Sequence, residues 1–296
     1  WDHLESAMGL AISGFRDEFE AALDWSKSNQ NPDGSWYELY RFSNPIEMNK
    51  QSNHASYFAV ALFCHYLLYK DQSYINSMQE PLTRCLLFVS SLQSKSGAII
   101  WNIDEKGNKD FDYLLTGNSS IAKSIQSAMH LYKVIGEKTD PLKELLTNLT
   151  DAIKNPSKKF DKQKDRSRFS MDSYYPVLSG VLNKFEETKY IQQTLEKFYV
   201  SDLGIKCVSD QPWVTVAETC EFVIALMKVG EKDLAKRLLT DIIQISDENM
   251  IPYMGWQYKE KIFWPEEQPN WTAGAEILAF DAVYKYSTAS EIFLAN

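Results

Sequence analysis

Two groups of acidic side chains stand where apolar helices are predicted to begin, and they are the residues best placed to do chemistry. Asp172 lies two residues before a pair of tyrosines, and Glu218 and Glu221 are three residues apart in an otherwise apolar run. Carboxyl groups at such places can act as general acid and general base. We therefore predict that Asp172 and Glu218 are the catalytic carboxyls, with Tyr174 or His54 as a positioning or proton-relay group.

A second set of polar and aromatic residues lies at or near the same helix starts and is predicted to bind the substrate around one cavity. These residues are Asp2, His3, Tyr57, Asn118, Ser119, Tyr175, Trp213, Glu221 and Trp271. Burying so many polar groups costs free energy unless they serve a ligand. Helix capping is the alternative for Asn118 and Ser119. The four histidines lack metal-ligand spacing, so neither a metal nor a cofactor is predicted.

Apolar helix patterns alternate with amphipathic ones along the chain. The run 52–69 is apolar on most sides, which is typical of a buried helix, whereas the run 15–29 is apolar on one face. Five amphipathic helices separate six buried-type helices, which begin near Asp2, Ser52, Gly117, Ser173, Trp213 and Trp271. In the fourth, Pro176 is expected in the first turn.

This alternation predicts an all-α fold, an (α/α)6 toroid of two concentric helix rings in a single domain over residues 1–296. One outer helix is missing from the pattern and would lie upstream of Trp1. An open right-handed solenoid is the structural alternative. The loops that lead into the buried-type helices are long and the reverse connections are short, so the site is expected at the end where the inner helices begin.

Composition excludes several classes of function. The net charge of −9 comes without a basic stripe, which argues against a nucleic-acid partner. No apolar run reaches the ~18 residues of a membrane span. Four widely spaced cysteines without a CxxC pattern predict free thiols in a reducing compartment, hence a cytoplasmic location. A basic run is interleaved with acids and is predicted to be a solvated loop; it contains Lys158, Lys159, Lys162, Lys164, Arg166 and Arg168.

A turn phrase recurs in which a helix ends in Gln, a Gly-containing turn follows, and a Trp comes next. It occupies residues 30–36 (QNPDGSW) and 93–101 (QSKSGAIIW), with a looser copy from Gln244 to Trp256. An amide at a helix end can bond neighbouring backbone, and a Trp can cover the turn. A structural role, away from any ligand, is predicted for Gln30, Trp36, Gln93 and Trp101.

These turns resemble the QW motif of the terpenoid cyclase and protein prenyltransferase superfamily. The segments 1–3 (WDH), 171–176 (MDSYYP), 210–215 (DQPWVT) and 218–221 (ETCE) are also similar to a bacterial group described as prenyltransferase-like or squalene-cyclase-like. The resemblance implies an α/α toroid and a cyclase or prenyltransferase activity. The Asp-x-Asp-Asp motif of class II cyclases is absent, and Cys207 and Asp210 have no matching His for a prenyltransferase zinc site. The DGSW phrase also resembles turns of α/α-toroid polysaccharide lyases.

Three functions compete. A cyclase or prenyltransferase would use aromatic faces to stabilise a carbocation. A glycosidase or polysaccharide lyase would use two carboxyls in an aromatic-lined cleft, and the many polar candidates favour a sugar. A non-catalytic binding scaffold is the third, against which the carboxyls count. The resemblance favours the first, acting on a small molecule, with a glycan substrate as the alternative.

Overall fold

Helices dominate the structure, and buried-type helices alternate with amphipathic ones as predicted. The fold is described from a computed structural model, which covers residues 1–156 and 159–295. Over these residues the α-helices are α1 (Asp2–Ile12), α2 (Arg16–Ser28), α3 (Ser52–Tyr69), α4 (Gln72–Ser77), α5 (Gln79–Ser91), α6 (Leu115–Ile135), α7 (Asp140–Lys154), α8 (Met171–Leu178), α9 (Lys184–Phe198), α10 (Val216–Val229), α11 (Lys232–Ile242), α12 (Asn270–Tyr284) and α13 (Glu291–Leu294).

Short strands lie in the loops between the helices. They are β1 (Leu39–Arg41), β2 (Asn44–Glu47), β3 (Lys50–Gln51), β4 (Asn102–Ile103), β5 (Lys109–Asp110), β6 (Tyr199–Val200), β7 (Gly204–Ile205), β8 (Trp213–Thr215), β9 (Gly255–Gln257) and β10 (Ile262–Phe263). All pair antiparallel, as β1-β2, β3-β4-β5, β6-β7 and β8-β9-β10. The sheets therefore shape the loops, and helices supply the core.

The chain divides into two compact units. Unit 1 contains Trp1 and Glu20–Asp165, and unit 2 contains Asp2–Phe19 and the chain from Arg166 onward. Whether the two behave as a single domain, as predicted, stays a prediction.

Unit 1 is built on α3 packed against α6. Helix α3 buries residues on all sides, which explains its lack of a polar face. The amphipathic helices α5 and α7 cover this pair. In α7 the residues Leu142, Leu145 and Leu149 are buried at a spacing of three and four, so a single apolar stripe faces the core.

Unit 2 contains the other four buried-type helices. Helix α1 packs against α12, α12 against α10, and α10 against α8. The amphipathic helices α9 and α11 pack on α8 and α10 respectively. Asn183 and Glu186 form a capping box that starts α9, and Gly230 in the left-handed conformation ends α10.

Several sequence-based expectations are corrected by the structure. Pro176 is the sixth residue of α8 and lies inside it, because the helix begins at Met171. Helix α6 begins at Leu115, so Asn118 and Ser119 lie a full turn inside it and do not cap it. The short helices α4 and α13 and the short strands were not predicted, since two to six residues carry too little periodicity.

The recurring turn staples one amphipathic helix to the next. The side-chain amide of Gln30 donates to the carbonyls of Gly34 (3.1 Å) and of Pro81 in α5 (2.9 Å). The amide of Gln93 donates likewise to Gly97 (3.0 Å) and to Leu145 in α7 (3.0 Å). Each Gln thus bonds its own turn and the following outer helix, which confirms the structural role predicted for both.

The two tryptophans also bond neighbouring segments. The indole N–H of Trp36 donates to the carbonyl of Ser26 (2.7 Å), and that of Trp101 donates to the side-chain oxygen of Gln51 (3.2 Å). The structural role predicted for these residues agrees with these bonds.

The third turn was placed at the wrong residue. Ser246 bridges to Pro252 across six residues, as Gln93 does to Ile99, and Met250 adopts the left-handed conformation that Gly97 adopts. Gln244 instead donates to the carbonyl of Asp202 (2.7 Å). The turn geometry is therefore repeated without its Gln and its Gly.

The other compositional predictions concern cysteines, charge and hydropathy. All four cysteines are free thiols, as predicted. Of the basic run, Lys158 lies outside the described residues, whereas Lys162, Lys164 and Arg168 are exposed, and Arg168 pairs with Asp210 at 2.9 Å. Among the described residues, no helix combines the length and apolar character needed to cross a membrane.

A matched pair of glycines tests the staple. Gly97 and Gly107 both have left-handed backbone (φ +87° and +84°), but a Cβ on Gly97 would lie 2.1 Å from the Asn148 carbonyl oxygen, whereas a Cβ on Gly107 meets nothing within 4 Å. Both Gly→Ala changes carry the left-handed strain of about 1–2 kcal/mol. We expect Gly97→Ala to lower the free energy of unfolding in urea by about 1–3 kcal/mol more than Gly107→Ala. Equal losses would contradict a close backbone approach at Gly97.

Candidate active site

Helix α10 places a carboxyl in the interior of unit 2. Glu221 is 7% exposed and lies between two tyrosines of α8. The hydroxyl of Tyr174 donates to its Oε2 (2.5 Å) and the hydroxyl of Tyr175 donates to its Oε1 (2.9 Å). Both carboxyl oxygens are thus held, so this side chain is oriented by its neighbours.

The surroundings of Glu221 favour its protonated form. Burial raises the pKa of Glu221 well above its ordinary value of 4.5, and the charges of Glu5 and Glu218 add to the effect. The bonds from the two tyrosines oppose it but are the smaller contribution. Burial, followed by the charge of Glu221, also raises the pKa of Tyr174. Near neutral pH both Glu221 and Tyr174 therefore retain their protons.

Glu218 lies one turn before Glu221 and is half-buried. The thiol of Cys207 is hydrogen-bonded to it, and burial together with the charge of Glu218 raises the pKa of that thiol. Its Oε2 is buried and has no hydrogen-bond partner among the described residues. An unpaired buried carboxyl oxygen costs free energy, so Glu218 is suited to accept a hydrogen bond from a ligand hydroxyl.

Glu276 of α12 is a further carboxyl, which the sequence reasoning missed. It is half-buried, and burial raises its pKa to about 7. Its charge raises the pKa of the buried thiol of Cys220, as do the charges of Glu221, Glu5 and Glu218, all after burial itself. Four carboxyls on three helices therefore surround one thiol. The signal in the sequence was an acidic residue in the largely apolar run of α12, which also contains Asp281.

Asp172, the other predicted catalytic carboxyl, is the second residue of α8 and is half-buried. Burial, then the charge of Glu186 and that of Asp172, raise the pKa of Tyr190 in α9 to about 12. Asp172 therefore lies within electrostatic range of the outer helix α9, on the same short helix as the tyrosines that hold Glu221.

The remaining predicted residues of unit 2 differ in exposure. Asp2 and His3 are exposed in the first turn of α1, whereas Glu5, two residues on, is buried. Trp213 is half-buried in β8, and Trp271 is half-buried as the second residue of α12.

In unit 1 the structure brings Trp1, His54 and Tyr57 together. Trp1 stacks on Tyr57 with ring centroids 4.2 Å apart, and its ring centroid lies 6.3 Å from that of His54. Burial is the largest cause that lowers the pKa of His54, to about 3. The imidazole is therefore neutral at physiological pH and can donate at one nitrogen and accept at the other.

The side chains of Asn118 and Ser119 form hydrogen bonds with backbone groups. The Asn118 side chain accepts from the Ile99 N–H (2.7 Å) and donates to the Ile99 carbonyl (3.0 Å), and Ser119 donates to the Leu115 carbonyl (2.8 Å). Asn118 thereby ties the second recurring turn to α6. This geometry gives both residues a structural role, and their predicted contact with substrate has no support from it.

The predicted site residues are thus divided between the two units. Unit 1 holds His54, Tyr57, Asn118 and Ser119, and unit 2 holds Asp2, His3, Asp172, Tyr174, Tyr175, Trp213, Glu218, Glu221 and Trp271. Their convergence on one cavity stays a prediction. Among the described residues, no group of three or more His, Cys, Asp and Glu side chains is arranged to hold a metal ion.

Comparison with known proteins decides the family. The chain is 34% identical over 293 residues, 99% of its own length, to the MMP endo-(1,4)-3-O-methyl-α-D-mannosidase of Mycolicibacterium hassiacum, of which it spans 80%. The chain belongs to the family of this glycoside hydrolase. The prediction of an enzyme is confirmed at this level. No protein-family model matches the chain.

Solved structures confirm the fold class. A GH63 mannosylglycerate hydrolase from Thermus thermophilus superposes with a TM-score of 0.72 at 10% identity, covering 94% of this chain and 91% of that one. A wild-type glycosidase gives a TM-score of 0.73 at 9% identity, covering 96% and 86%. The predicted all-α (α/α)6 toroid is thereby confirmed.

The predicted membership in the terpenoid cyclase and prenyltransferase superfamily is wrong. The mannosidase relative and the glycosidase structures overturn it, together with the cyclase or prenyltransferase function drawn from it. The physical reason is that the residues of the QW-like turns bond backbone and neighbouring side chains, so they report the architecture and not the reaction.

The protonated state of Glu221 predicts a pH-dependent stability. The folded protein binds this proton more tightly than the unfolded chain, so the contribution of Glu221 to stability is fully present below pH 4.5 and is lost as pH rises toward the raised pKa. Glu221→Gln keeps the shape without titrating. We expect the free energy of unfolding of the variant, relative to that of the wild type, to increase by up to about 1.4 kcal/mol for each pH unit that the pH rises over this range.

Urea unfolding between pH 5 and pH 8 measures this difference. Glu196→Gln, on the exposed face of α9, is the matched control, and its free energy of unfolding should change with pH as that of the wild type does. A difference between Glu221→Gln and wild type that does not change with pH would show that Glu221 is ionised in the folded protein.

Proposed function

We propose that the protein is an endo-acting α-mannosidase that hydrolyses internal (1,4) linkages in a glycan of 3-O-methylated mannose. The single observation that carries this proposal is the 34% identity over 99% of the chain to an enzyme of that specificity. A glycan, which was the alternative in the sequence analysis, thus replaces the small-molecule substrate expected from the cyclase resemblance.

The carboxyls of unit 2 support a glycosidase. Hydrolysis of a glycosidic bond uses one carboxyl to protonate the leaving oxygen, while a second activates water or attacks the sugar directly. The general acid must hold a proton near neutral pH. This requirement is supported by burial in the interior of unit 2, which brings the pKa of Glu276 to about 7 and raises that of Glu221.

Within this proposal Asp172 and Glu218 are the acid–base pair. Asp172 is half-buried at the start of α8, and Glu218 presents a buried oxygen without a partner among the described residues. Glu221 is bonded through both oxygens to Tyr174 and Tyr175, so it acts as a positioning residue that fixes α8 against α10. The relay role of His54 and the cytoplasmic location stay predictions.

The activity is tested with the purified protein and a (1,4)-linked polymer of 3-O-methyl-α-D-mannose. We expect new reducing ends and, at early times, internal fragments of several sugars in the mass spectrum. A (1,4)-α-glucan of similar length is the control and should stay intact. If the methylated polymer yields no new reducing ends, the proposed function is contradicted. Release of monosaccharide alone would exclude the endo mode.

Two substitutions test the carboxyl pair. Asp172→Asn and Glu218→Gln keep size while removing acid–base capacity, so each should lower kcat on this polymer by ~10²-fold or more with little change in melting temperature. Asp151→Asn and Glu196→Gln make the same chemical changes at exposed positions and should leave kcat unchanged. Full activity in either test variant would remove that residue from the pair.

A further inference from the structure

One face of the sheet β8-β9-β10 in unit 2 carries an ordered set of uncharged side chains. Trp213 lies opposite Gln257, and Gln257 opposite Ile262. Thr215 lies opposite Gly255, and the ladder continues from Gly255 to Trp264, whose N–H donates to the Gly255 carbonyl (3.0 Å). Because side chains alternate along a strand, these residues share one face.

Two tryptophans of this face support each other. Their rings meet edge to face, with centroids 5.0 Å apart and planes at 80°. The indole N–H of Trp213 donates to the backbone carbonyl of Trp264 (2.6 Å). Trp264 is nevertheless 52% exposed, so a large aromatic surface is fixed in orientation and open to solvent.

Gly255 makes this arrangement possible. A Cβ at this position would lie 2.6 Å from Nε1 of Trp213 and 2.5 Å from the Val214 carbonyl oxygen. Only a residue without a side chain lets the Trp213 indole cross the central strand toward Trp264.

The opposite face of the hairpin is anchored. Phe263 stacks on Tyr253 with centroids 3.9 Å apart and meets Trp256 edge to face at 5.0 Å. Val214, on the same side, is fully buried. The two tryptophans, of which Trp264 is exposed, therefore lie on a rigid support.

The sheet is continuous with the candidate active site. Thr215, the last residue of β8, immediately precedes α10, and Glu218 is the third residue of that helix. After β10 the chain enters α12, which carries Glu276. The two tryptophans therefore lie at the end of unit 2 where α10 begins with its candidate carboxyl.

We propose that Trp213 and Trp264, together called the tryptophan platform, bind a sugar ring of the glycan beside the cleavage site. This proposal rests on the proposed function. An endo enzyme must hold sugars on both sides of the bond it cuts. The apolar C–H face of a pyranose stacks on an indole, whose face is broad and rigid. The occupant is a 3-O-methylated mannose, because its methyl group adds apolar contact with the indole face and replaces a hydroxyl donor that an indole face cannot pair.

Binding is measured by calorimetry with a thio-linked tetrasaccharide of 3-O-methyl-mannose, which is bound but not cleaved. Trp264→Ala should raise the Kd about tenfold or more, a loss of about 1.4 kcal/mol or more, since the broad indole face is removed. Trp264→Phe keeps a smaller aromatic face, so its Kd should lie between that of Trp264→Ala and that of the wild type. Phe185→Ala removes an aromatic that is 81% exposed on α9 and is the matched control.

Kinetics on the methylated polymer separate the platform from the chemistry. Trp264→Ala should raise KM and leave kcat within about twofold, because Trp264 contributes binding energy away from the reacting bond. In the binding experiment, Trp264→Ala should lower the affinity for the unmethylated thio-linked tetrasaccharide less than the affinity for the methylated one.

The outcomes distinguish the two proposals. Wild-type cleavage of the polymer together with an unchanged Kd and KM in Trp264→Ala would overturn the platform and leave the proposed function standing. An equal loss for methylated and unmethylated sugars would overturn the assigned occupant. A wild type that neither cleaves the polymer nor binds the tetrasaccharide would overturn both.

Discussion

Backbone contact between α1 and α12 is the constraint on which the acidic interior of unit 2 depends. A Cβ on Gly274 would lie 2.7 Å from the Glu5 carbonyl oxygen, and a Cβ on Gly9 would lie 3.0 Å from the Gly274 Cα. Small residues allow such a close approach of two helices. Because α12 also packs on α10, Glu5 and Glu276 both come within electrostatic range of Cys220. Helix packing therefore gathers the carboxyls.

Burial favours the protonated form of two of these carboxyls, Glu221 and Glu276. Like charges in a poorly solvated place raise one another's pKa, and protons then remain bound at pH values where an exposed Glu has lost its own. The pKa of Glu221 is raised well above its ordinary value, although the hydrogen bonds from the hydroxyls of Tyr174 and Tyr175 favour its ionised form. The interior of unit 2 therefore keeps a proton available near neutrality, as general acid catalysis requires.

Helical periodicity made most of the architecture predictable, because each buried-type helix differs in pattern from its amphipathic neighbours. The orientation of single side chains was not predictable. Glu218 and Glu221 are one turn apart, and only the packing of α8 shows that Glu221 is the one held by tyrosines. The third recurring turn was expected between Gln244 and Trp256 but was aligned on the wrong residue, because Met250 supplies the left-handed residue without the glycine that normally signals it.

The resemblance to cyclases failed for a reason visible in the same structure. The recurring Gln serves the packing of outer helices, which any α/α toroid needs, whereas the reaction depends on what the inner helices bury. A hydrocarbon substrate would require an apolar interior. The hydroxyls of Thr215 and Thr272 and one oxygen of Glu218 are instead buried without a partner among the described residues. Such groups cost free energy until a ligand pairs them, and a sugar, with donors and acceptors on most carbons, can do so.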